Sequence, residues 1–218
     1  MVSAFFKRGP AGLDHIVAKS VNMLGDARHS FDLATTAVLT ATEAQSVADD
    51  IRATDQRINQ AEQDLRSELV VHVSVQGTSD IGSVLGFILL LKKIERVGDQ
   101  TKNILELAEQ GVSLHEADDI KELLAERQVI SALFAETSDL LAEDSPELTD
   151  DFVKRLKTLS DDQNAKILSY ISSELPGYEV VPRAIYHRYL KRIVANLLGV
   201  VSTAAEPLPN IDYLDEQQ

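Results

Sequence analysis

The sequence predicts an all-α protein of six long helices, arranged as a tandem of two three-helix bundles. No proline lies between residues 11 and 145, so long uninterrupted helices can form there. Apolar residues recur at spacings of three and four, which is the period of one buried helix face. Tryptophan is absent and aromatic residues make up only 5% of the chain, so the core has to be built from Leu, Ile, Val and Ala. Such a core suits helices packed on helices.

Three helices are predicted in the first half. The first covers about residues 12–40, and the second covers about residues 42–72, with Thr42 and Glu43 at its start. The third follows the break at residues 76–78, with Ser79 or Asp80 as its N-cap, and it ends at Gly111. Glycine is favoured at both breaks because it adopts backbone conformations that end helices.

Three more helices are predicted in the second half. They cover about residues 116–142, about residues 147–173, and the segment from Pro182 to just before Glu206. Proline is favoured in the first turn of a helix, which places the predicted start of the last helix at Pro182. Residues 91–97 can be aligned with residues 187–193, which indicates an internal repeat. We therefore predict a first three-helix repeat at 11–111, a second at 112–206 and an acidic C-terminal tail at 207–218.

The net charge of the chain limits the classes of partner that it can bind. Lys and Arg total 21 against 35 Asp and Glu, which gives a formal net charge of −14. A surface of this sign disfavours nucleic acid, whose phosphates require a basic face. It also disfavours docking on an anionic membrane through bulk charge. An acidic surface favours cations and basic patches on partner proteins.

The apolar runs are short, and cysteine is absent. The longest run, residues 81–91, ends at Lys92 and Lys93 and is about half of the ~20 residues needed to cross a bilayer. Residues 1–10 lack the long apolar region of a signal peptide. We therefore expect a cytoplasmic protein without direct membrane insertion. The absence of cysteine excludes disulfides and thiolate metal sites.

Two predicted helices carry carboxylates on a packing face. In the second helix, Asp55 and Glu62 take positions in a series that otherwise holds apolar residues at spacings of three and four. In the third helix, Glu95 and Asp99 are one turn apart on one face and flank Gly98. Gly98 costs about 1 kcal/mol of helix propensity, so its position predicts a close approach. We call Asp55, Glu62, Glu95 and Asp99 the acidic seam.

Carboxylates on a packing face need a counter-charge, because an unpaired buried ion is costly. One source is a hard cation, such as Mg²⁺, Ca²⁺, Mn²⁺ or iron, held by carboxylate oxygens. The other source is pairing with basic side chains nearby, and the spacing alone favours it. The candidates for this pairing are Arg52, Arg66, Lys92, Arg96 and Lys102.

The sequence offers little catalytic machinery. The five histidines are scattered, and none stands three residues after a glutamate, so the Glu-x-x-His pattern of di-iron bundles is missing. No phosphate-cradling glycine loop and no hydrolase motif occurs. Phe87, Tyr186 and Tyr189 are predicted to pack in the core or an interface. A carboxylate-bridged metalloenzyme is therefore a weak alternative to a binding protein.

The run from Lys92 to Ile104, which reads KKIERVGDQTKNI, resembles the hallmark of the PhoU family, a Glu-Arg-Ile-Gly-Asp run followed by Asn-Ile. Residues 55–59, with Glu62 and Arg66, are similar to the family's preceding helix. Residues 188–193, with Asn196, look like the corresponding element of a divergent second repeat.

This resemblance implies two similar three-helix bundles and a non-enzymatic, cytoplasmic role in regulating or assisting inorganic phosphate transport. The implied partner is a membrane phosphate permease or a phosphate-signalling protein, which would bring the protein to the periphery of the inner membrane. It also implies that a divalent or iron-type metal ion is held by Glu95 and Asp99, with Asp55, Asn59 and Glu62 on the facing helix.

The second repeat departs from this pattern. Lys191 and Ala195 stand where the glutamate and aspartate are expected, so we predict no second metal site. A homodimer is expected as a way to cover an apolar face left by long amphipathic helices. The alternative to a metal-binding regulator is a structural helical adaptor, whose seam holds only paired charges.

Overall fold

Six α-helices make up the described part of the chain, and no strand occurs within it. The computed structural model describes residues 13–77, 79–143 and 150–205. The helices are α1 (Asp14–Leu39), α2 (Gln45–Gln76), α3 (Ile81–Glu109), α4 (Ile120–Ala142), α5 (Asp150–Ile171) and α6 (Gly177–Ala205). The predicted all-α class is confirmed. The predicted tail at 207–218 lies outside the described residues.

Both predicted glycine breaks are present. Gly77 follows α2 with φ of 79°, and Gly111 follows α3 with φ of 86°, a left-handed region that side chains with a Cβ rarely adopt. At the second break the Val112 amide donates to the Leu107 carbonyl at 3.0 Å, which closes the end of α3. The segment 110–119 then leads into α4 and the second half.

The predicted side-chain caps differ from the structure. Asp80 takes the N-cap position of α3 but makes no capping bond. Its Oδ2 instead lies 3.2 Å from Nε2 of His72 on α2. The N-cap of α2 is Ala44, while the Thr42 hydroxyl accepts a hydrogen bond from Thr40 at 2.8 Å. Asp80 is therefore engaged by a tertiary partner and Thr42 by a local one, instead of capping a helix.

The predicted start of α6 at Pro182 is wrong, because the helix begins at Gly177 and contains the proline. Proline lacks the N–H that would bond the carbonyl four residues earlier, at Tyr178. Tyr178 is 79% exposed, so solvent can serve the carbonyl that the proline leaves free. The cost of a proline in the second turn is correspondingly small at this end of the helix.

The first and second halves of the chain pack together through α1 and α4, which run antiparallel. On α4, Arg127 Nε donates to Thr35 Oγ1 of α1 at 3.0 Å. One turn later, Ser131 Oγ donates to Asp32 Oδ2 at 3.2 Å and accepts from Arg28 Nε at 3.1 Å. As α4 advances, its partners recede along α1, so the two helices are antiparallel. These polar contacts fix the register of the halves.

α3 and α6 form the centre of the molecule. α3 packs against α1, α2 and α6, and α6 packs against α3, α4 and α5. Both helices bury long apolar faces, which join in one core cluster. Phe87 on α3 and Tyr186 on α6 are buried and Tyr189 is half-buried, which confirms their predicted packing role. None of the helices in the described ranges has the length and apolarity required to cross a bilayer.

Candidate functional site

The acidic seam lies where α2 and α3 pack together. The register of this antiparallel pair sets Lys102 beside Asp55, with Lys102 Nζ 3.1 Å from Asp55 Oδ2. One turn further, Ile58 of α2 faces Gly98 of α3. The rise of an α-helix then brings Glu62 level with the turn of α3 that carries Glu95. The structure therefore brings both halves of the predicted seam to one helix interface.

Gly98 permits this close packing. A Cβ atom at Gly98 would lie 3.2 Å from Ile58 Cδ1, closer than ordinary van der Waals contact. The predicted close approach at Gly98 is therefore present, and the approaching group is the side chain of Ile58. A side chain at residue 98 would press on Ile58, which would have to shift for the two helices to stay this close.

Each seam carboxylate has a basic neighbour. Glu62, with a side chain only 7% exposed, accepts a hydrogen bond from Arg66 Nη1 at 3.0 Å. Glu95 Oε2 lies 2.7 Å from Lys92 Nζ. Both basic residues stand on the same helix as the carboxylate they serve. Three of the five basic residues that the sequence offered for pairing, Arg66, Lys92 and Lys102, thus meet the seam.

Lys102 is shared between two carboxylates. Its Nζ lies 3.1 Å from Asp55 Oδ2 and 3.6 Å from Asp99 Oδ1. Asp55 Oδ2 also accepts a hydrogen bond of 3.3 Å from Asn59 Nδ2. Although burial lowers the pKa of Lys102, the hydrogen bond and the charges of Asp55 and Asp99 outweigh it and raise that pKa above its usual value. The ammonium is therefore held in its charged form.

The basic neighbours do not fully neutralise the seam. Burial, followed by the charges of Glu95 and Asp55, raises the pKa of Asp99 above its usual value, although Lys102 and Lys92 oppose this. Within the described residues, Glu95 Oε2 also has no hydrogen bond, because its contact with Lys92 is a charge contact without hydrogen-bond geometry. The seam therefore keeps an excess of negative charge, which favours the binding of a further cation.

The donor set matches a hard cation in its chemistry. Carboxylate and amide oxygens of Asp55, Asn59, Glu95 and Asp99 are the ligands that Mg²⁺, Ca²⁺ and Mn²⁺ prefer. As the side chains stand, the described residues contain no group of three or more His, Asp or Glu arranged to hold a metal. Lys102 stands between Asp55 and Asp99, so a metal using both would have to displace its ammonium.

The corresponding place in the second half is different. Lys191 of α6 donates a hydrogen bond from Nζ to Asn164 Oδ1 of α5 at 2.9 Å. Ala195, one turn later, is exposed and has no oxygen ligand on its side chain. The predicted absence of a second metal site stays a prediction.

The second half instead holds a buried polar cluster that the sequence interpretation missed. It consists of Glu126 on α4, Gln163 and Lys166 on α5, and His187 on α6. Glu126 Oε1 accepts from Gln163 Nε2 at 2.6 Å and from Lys166 Nζ at 2.7 Å. Since the Gln163 amide nitrogen faces a carboxylate, its oxygen accepts from His187 Nδ1 at 2.8 Å. Glu126 and His187 each occupy a position in a series of apolar residues spaced three or four apart. The same pattern identified Asp55 and Glu62 in the acidic seam.

Burial controls the titration of this cluster. His187 is 1% exposed, and desolvation lowers its pKa to about 4, although the charge of Glu126 opposes the effect. Burial likewise raises the pKa of Tyr186, with a further contribution from Glu126. His187 is therefore neutral near pH 7, with its proton on Nδ1. A buried, neutral and hydrogen-bonded histidine is suited to holding α4, α5 and α6 together.

Comparison with known proteins agrees with the motif in α3. Residues 21–108 match the sequence model of a family described as the PhoU domain. The predicted resemblance to the PhoU family is therefore confirmed, and the acidic seam lies within the matched segment.

The whole fold agrees as well. The structure resembles the crystal structure of PhoU from Pseudomonas aeruginosa with a TM-score of 0.70, covering 92% of this chain and 97% of that chain. The two sequences are 18% identical over the match, so the likeness establishes the fold alone. No curated protein sequence matches the chain significantly.

Proposed function

We propose that this protein is a non-enzymatic regulator or accessory protein of inorganic phosphate transport. The observation that carries the proposal is the match of residues 21–108 to the model of the PhoU domain, a segment that contains the complete α2–α3 seam. The match of nearly the whole chain to the PhoU fold supports extending the role to both halves. Its partner is a phosphate permease in the membrane or a phosphate-signalling protein, and it acts from the cytoplasm at the membrane periphery.

The chemistry of the two polar sites supports binding instead of catalysis. In the seam, Asp55 and Asp99 share Lys102, while Glu62 is held by Arg66. A general base has to reach a proton on a substrate, and these contacts commit the carboxylates to other groups. In the second half, His187 is sealed in the core at 1% exposure. A carboxylate-bridged metalloenzyme is accordingly not proposed.

Deleting the gene tests the regulatory role. We expect altered phosphate uptake or an altered phosphate-starvation response, and restoration by a plasmid copy. If uptake and the starvation response are both unchanged in the deletion strain, the proposal is wrong. Light scattering of the purified protein would separately test the predicted homodimer.

We also propose that the seam binds a hard divalent or iron-type cation through Glu95 and Asp99, assisted by Asp55, Asn59 and Glu62. The excess negative charge around Asp99, whose pKa is raised by burial and by the charges of Glu95 and Asp55, supports this assignment. Elemental analysis should find metal in the wild type and none above background in the variant carrying Glu95→Gln and Asp99→Asn. Lys191→Ala is the matched control, because it lies in the other half and should leave the metal content unchanged.

A structural adaptor with a paired-charge seam is the second candidate. The four contacts that Lys92, Lys102 and Arg66 make with seam carboxylates favour it. The variant Glu95→Gln with Asp99→Asn distinguishes the two in cells. If it restores phosphate handling in the deletion strain as well as the wild type does, the protein works without a seam metal.

A further inference from the structure

One side of the central α3–α6 pair is open to solvent. α1 and α4, which pack on each other, cover the other side of the pair, while α2 lies beside α3 and α5 lies beside α6. The open side consists of the exposed strips of α3 and α6, and we call it the outer face. Its exposed residues are Ile81, Leu85, Leu89 and Arg96 on α3, and Val181, Arg188 and Arg192 on α6.

The two strips lie next to each other and point the same way. With 3.6 residues per turn, the named positions of each strip lie within about 80° of one another around their helix. Lys93 connects the strips, since a Cβ placed on Gly199, in the strip of α6, would lie 2.9 Å from Lys93 Cδ. α3 and α6 are antiparallel, because each runs in the direction of the first helix of its half. Arg96, one turn after Lys93, therefore lies nearer to Arg192.

The outer face is basic although the chain is acidic. Neither residues 180–205 of α6 nor residues 81–94 of α3 include an acidic side chain. Lys92 and Lys102 pair with carboxylates of the acidic seam, but four basic residues of the outer face have no salt bridge within the described residues. We call these four the basic row: Lys93, Arg96, Arg188 and Arg192. Because no carboxylate of the chain neutralises it, the basic row is available to an external anion.

Apolar side chains lie on the same face, at both ends of the basic row. Near the start of α3, Ile81, Leu85 and Leu89 are 41%, 45% and 43% exposed. Near the start of α6, Val181 is 51% exposed. Since the two helices are antiparallel, these apolar groups occupy opposite ends of the outer face and the basic row lies between them. Exposed Leu and Ile beside Lys and Arg are typical of helices that lie on a membrane surface.

We propose that the outer face of the α3–α6 pair binds directly to a membrane surface that contains anionic lipids. The basic row contacts the lipid phosphates, and the apolar ends enter the boundary between headgroups and acyl chains. A membrane fits better than an acidic protein segment, because unpaired cations and apolar side chains are spread along helices of 29 residues, which are about 43 Å long. This inference goes beyond the proposed regulatory role, since it assigns contact with lipid that requires no partner protein.

The net charge of −14 does not prevent this contact. The Debye length is about 8 Å at physiological ionic strength, so charges further from the membrane are largely screened. Acidic residues on the far side of α1 and α4 lie behind a second layer of helices, whose axes are about 8–10 Å from the first. Asp99, beside the outer face, is 40% exposed, but Lys102 Nζ lies 3.6 Å from its Oδ1. The basic row therefore dominates the field that a bound membrane meets.

The test is co-sedimentation of the full chain with lipid vesicles. We expect binding to vesicles of equal parts phosphatidylcholine and phosphatidylglycerol, no binding to phosphatidylcholine alone, and loss of binding as sodium chloride is raised. The double variant Arg96→Gln, Arg192→Gln should bind at least tenfold more weakly, because each cation near an anionic surface contributes about fivefold. The matched control is Lys19→Gln, Lys121→Gln, which removes the same charge from α1 and α4 and should bind as the wild type does.

A second variant tests the apolar part of the face. Leu85→Gln, Leu89→Gln changes no charge and replaces exposed side chains, so the fold should persist, as circular dichroism would verify. We expect it to bind the anionic vesicles severalfold more weakly than the wild type, with the same dependence on salt. Unweakened binding of this variant would show that the face holds anions without entering a membrane, and the proposal would be wrong.

Two further outcomes would overturn the membrane contact. One is an equal loss of vesicle binding in the outer-face variant and in the control on α1 and α4, since the net charge would then decide. The other is a wild type that ignores anionic vesicles while Arg96→Gln, Arg192→Gln fails to restore phosphate handling in the deletion strain. In that case the outer face binds an acidic protein instead. Neither result bears on the phosphate role itself, which the deletion strain tests separately.

Discussion

Acidification should destabilise the protein through His187, the histidine at the centre of the Glu126 cluster. Its pKa is about 4 in the folded chain against an ordinary value of 6.5. The folded state thus favours the neutral ring, and the unfolded state takes up the proton first. The contribution of His187 to stability is therefore complete above pH 6.5 and is lost as the pH falls from 6.5 toward 4.

The size of the effect follows from the two pKa values. A change from pH 7.5 to pH 4.5 protonates the unfolded imidazole almost completely and leaves most of the folded molecules neutral. Proton linkage then removes about 2–3 kcal/mol of unfolding free energy. Marginal stabilities of 5–15 kcal/mol are usual for folded domains, so a loss of this size is measurable. The physical cause is the desolvation of a cation among α4, α5 and α6.

Urea denaturation followed by circular dichroism at pH 7.5 and pH 4.5 measures this loss. The variant His187→Gln has no titrating ring but can still hydrogen-bond, so it should lose about 2–3 kcal/mol less than the wild type over the same interval. His29→Gln is the control, because His29 lies half-exposed beside Asp50 on the surface. If the wild type and His187→Gln lose the same free energy between the two pH values, the assigned burial of a neutral histidine is wrong.

Two further substitutions test the seam. Gly98→Leu should cost about 1–3 kcal/mol of unfolding free energy, since even a Cβ there would lie 3.2 Å from Ile58 Cδ1. The control Gly25→Ala places a Cβ with no atom within 4 Å, so it should instead raise the unfolding free energy by up to about 1 kcal/mol. Equal urea midpoints for the two variants would contradict the close packing at Gly98. Asp99→Asn should raise the melting temperature of the EDTA-treated protein at pH 7.5, because a raised carboxyl pKa means that the folded state disfavours the anion. The gain should shrink as the pH falls through the folded pKa, and a lower melting temperature at pH 7.5 would show that Asp99 is stabilised by its neighbours.

The sequence determined the elements and part of the site. Uninterrupted three-and-four spacing predicted six helices, and the glycines at 77 and 111 predicted two of the breaks. These signals are local, because helix period and left-handed glycines depend on neighbouring residues only. The same period placed Asp55 and Glu62 on one packing face and predicted the tight contact at Gly98.

Only the tertiary structure determines which helix faces pack together, and therefore which basic residue neutralises each buried carboxylate. Periodicity predicts that a residue faces the interior but not which helix packs against it. From the sequence, Lys102 was therefore one of five candidate partners of the seam carboxylates. The register of α2 against α3 places it between Asp55 and Asp99. The Glu126 cluster shows the same limit more strongly. Gln163 and His187 lie 37 and 61 positions after Glu126 in the chain, and only the packing of three helices brings them within hydrogen-bond reach. Burial, which is a property of that packing alone, then determines that His187 remains neutral.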